Sequence, residues 1–181
     1  MAIHEEYEKI LKDTKEEFPG FEIIEKKNSG LMKVIDVILK VITFGQMRTF
    51  MTGFITTLGE KVYVNEGWES IPVANRAGVI RHERVHMRQS RKYGRFLFSF
   101  LYLVVPFPVG FAYFRKKFEQ EAYEESLRAI AEYFGPNAFT PQLKEYTLAH
   151  FTTAQYFWMW PWRKGLEKWY DSTVEKIKSQ N

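Results

Sequence analysis

The segment "VIRHERVHMRQ", Val79 to Gln89, holds two of the four histidines in the chain within five residues. His82 and His86 stand four apart, and Glu83 directly follows the first. On an α-helix, residues i and i+4 lie one turn apart on the same face. Two imidazoles so placed can reach one zinc ion, each at about 2.0–2.1 Å. Glu83 lies about 100° further round the helix, beside the metal rather than on it. There it can take a proton from a metal-activated water, as the glutamate of an H-E-x-x-H helix does. The bland alternative is a basic helix that carries two imidazoles by chance. Arg81, Arg84, Arg88, Arg91, Lys92 and Arg95 are read as the solvated side of that helix, and no nucleic acid partner is expected.

A hydrolytic zinc site has three protein ligands and an open fourth position, so a third ligand must come from another element. "KKFEQEAYEESLRAIAEYF" (Lys117 to Phe134) offers Glu119, Glu121, Glu124 and Glu125. At 100° per residue, Phe118, Ala122, Tyr123, Ser126, Ala129, Ile130, Tyr133 and Phe134 gather on one side, with Glu119 in their midst. Glu121, Glu124, Glu125, Arg128 and Glu132 fall on the other side. A carboxylate within an apolar face needs a cation or a partner, and a zinc held by two neutral imidazoles supplies the charge. A buried arginine would serve as well. Glu119 is the expected ligand and Glu121 the reserve.

These residues need elements to hold them. Ile3 to Phe18 reads as a helix stopped at Pro19–Gly20, "FEIIEK" (Phe21 to Lys26) as a strand, and Leu31 to Ile42 as a helix. "RTFMTGFITTLGEKVYVNE" reads as a hairpin with strands near 48–57 and 61–65. Further helices are expected at about Val73 to Tyr93, Phe111 to Phe134, 141–158 and Trp162 to Ser179. The sum is α+β: a small antiparallel sheet packed on several helices, with HExxH on a central one. At 181 residues and 45% hydrophobic, the chain suits a single domain over 1–181. With no cysteine, disulfides, thiolate zinc sites and a cysteine nucleophile are excluded. The acidic, amphipathic opening "MAIHEEYEKILKDTKEEF" is unlike a secretory signal. A net charge of +4 permits contact with nucleic acid or anionic lipid and requires neither.

The HExxH helix, the downstream glutamate and the preceding hairpin resemble the glutamate-ligand zincins, zinc metallopeptidases with that order of elements. "EQEAY" (Glu119 to Tyr123) is similar to the E-x-x-A-D segment of the HtpX-like and CAAX prenyl protease families, whose first glutamate binds zinc. Tyr123 stands in place of the aspartate. "RHERVHMRQ" together with "FEQEAYEES" also resembles small bacterial and phage zincin-like proteins. The resemblance implies a zincin-like fold and a zinc peptidase acting on a peptide or protein substrate. A zincin also needs a donor for the oxyanion of its tetrahedral intermediate. Tyr156, in "HFTTAQYFWMWPW", is the expected donor and His150 the alternative. The competing classes are a catalytically silent zincin-like binding or scaffold protein and a basic nucleic-acid-binding module.

Phe96 to Phe114, "FLFSFLYLVVPFPVGFAYF", is nineteen residues without a charge, long enough to suggest a membrane span. A single crossing would put His82 and His86 on the opposite side of the bilayer from Glu119. Pro106, Pro108 and Gly110 also break the segment near its middle. The expectation is therefore a buried core element in a soluble, cytoplasmic protein, with membrane contact through Phe96–Phe114 as the alternative.

Overall fold

The computed structural model describes residues 3–42, 44–45, 48–103, 112–153, 159–160 and 162–180. Two compact units divide the chain, Met1–Glu83 and Arg84–Asn181.

In the first unit, α1 (Ile3–Glu17) starts with Glu5 and Glu6 and ends with Lys15, charges that suit the helix dipole at each end. It stops where Pro19 and Gly20 follow. Three strands come next, β1 (Glu22–Glu25), β2 (Thr56–Leu58) and β3 (Lys61–Val64), separated by α2 (Gly30–Ile42) and the single turn α3 (Phe50–Gly53). They form one sheet in the order β1-β3-β2. β2 and β3 are the expected hairpin, antiparallel and turned at Gly59, whose φ of +65° is open to glycine at no steric cost. The wholly antiparallel sheet expected from the sequence is corrected here: β1 pairs with β3 in parallel, Glu22 opposite Lys61 through Glu25 opposite Val64. Parallel neighbours need a crossover of a dozen or more residues, and α2 lies within the connection that supplies it. Glu22 and Lys61 then close an ion pair of 2.9 Å across the ladder.

The core of this unit gathers Met32, Phe50 and Tyr63, flanked by Ile24, Ile35, Leu39 and Leu58. Lys26 is buried among them, its ammonium donating to the carbonyls of Phe50 (2.7 Å) and Phe54 (2.6 Å). That anchorage holds the α3 turn where the sequence suggests extended chain, so the first strand of the hairpin begins only at Thr56.

α4 (Val73–Tyr93) carries the HExxH turn with the bounds the sequence suggests, and it continues from the first unit into the second. Gly94, at φ +81°, ends it and starts α5 (Arg95–Leu103). α6 (Tyr113–Phe134) is closed by Gly135, whose N–H bonds the carbonyl of Ala131. α7 (Pro141–Thr152) is capped by Thr140, whose hydroxyl accepts from the N–H of Leu143. α8 (Arg163–Gln180) completes the second unit. Leu127, Leu148, Phe151, Leu166, Tyr170 and Ile177 from α6, α7 and α8 build its core. The architecture is α+β, mostly helical with a small mixed sheet, and no described helix is long and apolar enough to cross a membrane.

The expected burial of Phe96 to Phe114 is corrected for much of the described part. Phe96, Leu97 and Phe100 on α5 are exposed, as are Tyr113 and Phe114 at the start of α6, whereas Phe98 and Tyr102 turn inward. A run without charges fixes composition but not which of its faces finds a partner. Residues 104–111 lie outside the described set.

Candidate metal centre

α4 brings His82 and His86 to one face by the i, i+4 rule, and α6 contributes Glu119. One ligand atom from each lies within 4.8 Å of the others, a group that can hold a metal ion. His86 and Glu119 are buried and His82 is half-buried. The helical phase of α6 accounts for the choice of carboxylate. Phe118, Glu119 and Ala122 are buried on one side, while Glu121 is exposed on the other.

Partners of the ligands fix their geometry. His86 Nδ1 lies 2.9 Å from Gln89 Oε1, one helical turn on. That oxygen can only accept, so Nδ1 carries a proton and Nε2 is the ring nitrogen left to face a metal. Nε2 is 3.6 Å from Glu119 Oε1, on the side where a metal would sit. Gln89 is itself buried, and its amide nitrogen donates to the carbonyl of Phe118 (3.1 Å) and to Glu121 Oε2 (2.8 Å). One side chain thus sets the His86 tautomer and ties α4 to the turn of α6 that presents Glu119. Glu121, the reserve ligand of the sequence reading, serves as an outer anchor for that amide.

On the other side of Glu119, the Tyr102 hydroxyl donates to Oε1. Burial pushes the Tyr102 phenol well above its ordinary range and the Glu119 carboxylate adds to this, while the Arg115 guanidinium opposes it. The Tyr102 ring meets the His86 imidazole edge-on at 5.9 Å, and Phe98 lies 6.4 Å from the same imidazole. Hydrogen bonds to ligating groups and an apolar surround are what orient a metal site and tune it.

Glu83 is buried, and Thr57 of β2 donates to its Oε2 at 2.7 Å. The hydroxyl holds one carboxylate oxygen in place.

The two residues expected to stabilise an oxyanion fare differently. Tyr156 lies outside the described residues. His150 belongs to an aromatic group on α7, with its ring 5.4 Å from Tyr123 and 4.5 Å from Tyr146, and its Nδ1 against the Tyr146 carbonyl at 2.8 Å. Three residues of the site escape the sequence reading. Gln89 could have been found, because it continues the 82, 86 series on the same helical face. Tyr102 had a weaker mark, as one of the few polar tips in an uncharged run. Thr57 carries no local signal, since only the tertiary fold joins it to Glu83.

Compared with known protein families, curated proteins and solved structures, the chain matches none.

Proposed function

We propose that the protein is a zinc-dependent hydrolase, a peptidase, with zinc held by His82, His86 and Glu119 and with Glu83 as general base. The observation that carries this reading is the convergence of two imidazoles from an HExxH turn and one buried carboxylate from a second helix. Two nitrogen donors and one oxygen suit zinc and leave a fourth position for water or substrate. Zinc, when bound there, would lower the pKa of a ligated water toward ~7 and polarise a substrate carbonyl.

The chain's own groups supply the rest. Glu83, steadied by Thr57, accepts the proton of the attacking water and returns it to the leaving amine. Gln89 keeps the His86 lone pair aimed at the metal, and Tyr102 fixes the rotation of the Glu119 carboxylate. Phe98 and Tyr102 exclude bulk water from one side of His86, which strengthens every charge interaction in the site.

Metal analysis after purification without chelator, followed by zinc supplementation, tests the proposal. Near one zinc per chain is expected, and less than about 0.2 refutes it, since a three-ligand site fills readily. Glu83→Gln should keep the metal while hydrolysis of a broad peptide library falls at least ~100-fold, because the amide cannot take the proton. Full zinc occupancy with no hydrolysis by the unaltered protein would instead mark a silent zinc-binding scaffold.

A further inference from the structure

We propose that the second unit docks on an anionic phospholipid bilayer through the outer face of α5 and the basic turn that precedes it. Among the described residues, α5 is largely apolar and packs inward through Phe98 and Tyr102. Inward, the Phe98 ring lies 5.0 Å from Phe118 and 5.6 Å from Tyr102. Outward, Phe96 is 91% exposed, Leu97 51% and Phe100 52%. Spacings of i, i+1 and i+4 place these three on one side of the helix. A folded chain seldom offers water two phenylalanines and a leucine side by side unless something covers them.

Charge identifies the cover. Residues 84–118 contain eight Lys or Arg and no Asp or Glu. Arg91, Lys92 and Arg95 are exposed at the junction of α4 and α5, directly before the apolar face begins. Cations at phosphate level with aromatic and aliphatic side chains beyond them match the boundary of an anionic bilayer. A nucleic acid would engage the same cations but gain little from Phe96, Leu97 and Phe100.

The inner face of α5 lies against His86, so docking would hold the metal group close to the lipid. If the peptidase reading above stands, its substrates are then polypeptides at or near a membrane surface. Attachment itself needs no metal, so it can be measured in EDTA and fails or succeeds apart from that reading.

The test is co-sedimentation in EDTA with vesicles of phosphatidylcholine alone or with roughly 30% phosphatidylserine, a content that reproduces a cytoplasmic-leaflet potential. Partition onto the anionic vesicles should exceed that onto neutral ones by at least ~tenfold, each cation at the surface contributing about fivefold. Phe96→Ser/Leu97→Ser/Phe100→Ser, and in milder form Phe96→Ser alone, should lower binding to the anionic vesicles, the triple variant by about tenfold or more. Arg91→Gln/Lys92→Gln/Arg95→Gln should abolish the preference for anionic lipid. All six side chains are exposed, so an unchanged circular dichroism spectrum is expected for each variant. Absence of binding to anionic vesicles overturns the proposal, as does undiminished binding by both apolar variants. Retention of duplex DNA in place of vesicles, sensitive to the basic substitutions alone, overturns it in favour of a nucleic-acid surface.

Discussion

Gln89 offers the sharpest test of how the site is built, because one buried amide makes three contacts. Its oxygen faces His86 Nδ1 at 2.9 Å, and its nitrogen bonds the Phe118 carbonyl at 3.1 Å and Glu121 at 2.8 Å. Gln89→Met keeps the length and removes every polar atom. The His86 N–H then loses this acceptor in buried surroundings, at about 1–3 kcal/mol, while the Phe118 carbonyl loses only a donor additional to its own helix bond. The imidazole also becomes free to rotate or to change tautomer, and losing such a partner costs about 10–100-fold in metal affinity. Gln89→Glu separates the two effects. A carboxylate still accepts from Nδ1–H, so zinc affinity should stay within a few-fold of the unaltered protein. It cannot donate to Phe118 and it faces Glu121 with like charge, so stability should fall. Competition for zinc against a chromogenic chelator reads the first quantity, and denaturant unfolding of the metal-free protein reads the second. If Gln89→Met binds zinc as tightly as the unaltered protein, His86 is not oriented by Gln89 and the account of the site is wrong.

Other outcomes follow from the same contacts. Glu119→Ala should lose zinc, whereas Glu121→Ala, at an exposed anchor, should retain it; equilibrium dialysis with zinc decides, and the reverse result would put α6 out of phase. Thr57→Val should leave zinc content unchanged while kcat drops by roughly tenfold, because Glu83 loses the donor that holds its carboxylate. Burial lowers the Lys26 pKa from 10.5 to about 8, against the pull of the Glu83 and Asp36 carboxylates. Between those values the unfolded chain binds more protons than the folded one, so the stability contributed by this group rises from pH 8 to pH 10.5. The gain is at most ~3 kcal/mol, and Lys26→Met should flatten that part of the urea-unfolding profile against pH.

Local periodicity made much of the site readable. The 3.6-residue repeat gives the bounds of α4, sets His82 and His86 on one face, and separates Glu119 from Glu121, all without reference to another element. What needed the tertiary fold was not readable. The run before β2 is rich in aromatic and β-branched residues and suggests a longer strand, yet two carbonyls held by Lys26, a residue twenty-four positions or more away, keep Phe50–Gly53 as a helical turn. The direction of β1 depends on where α2 sends the chain, and "FEIIEK" carries no mark of it. On α2 itself, Leu31, Val34, Val37, Ile38 and Val41 are exposed while Met32, Ile35 and Leu39 pack inward, an assignment that a helix apolar on nearly every side does not disclose.

α4 runs through the boundary between the two units. Glu83 is the last residue of the first unit and takes its support from β2, whereas His86 draws on Gln89 and on α6 in the second. On the proposed reading, the general base is thus supported by the hairpin, whereas His86 is supported by α4 and α6. On that reading, change at Thr57 and the hairpin would cost hydrolysis and spare the metal. If the protein is the hydrolase proposed above, metal content alone is a poor proxy for its competence, and an inactive but fully loaded preparation directs attention to the small sheet rather than to the histidines.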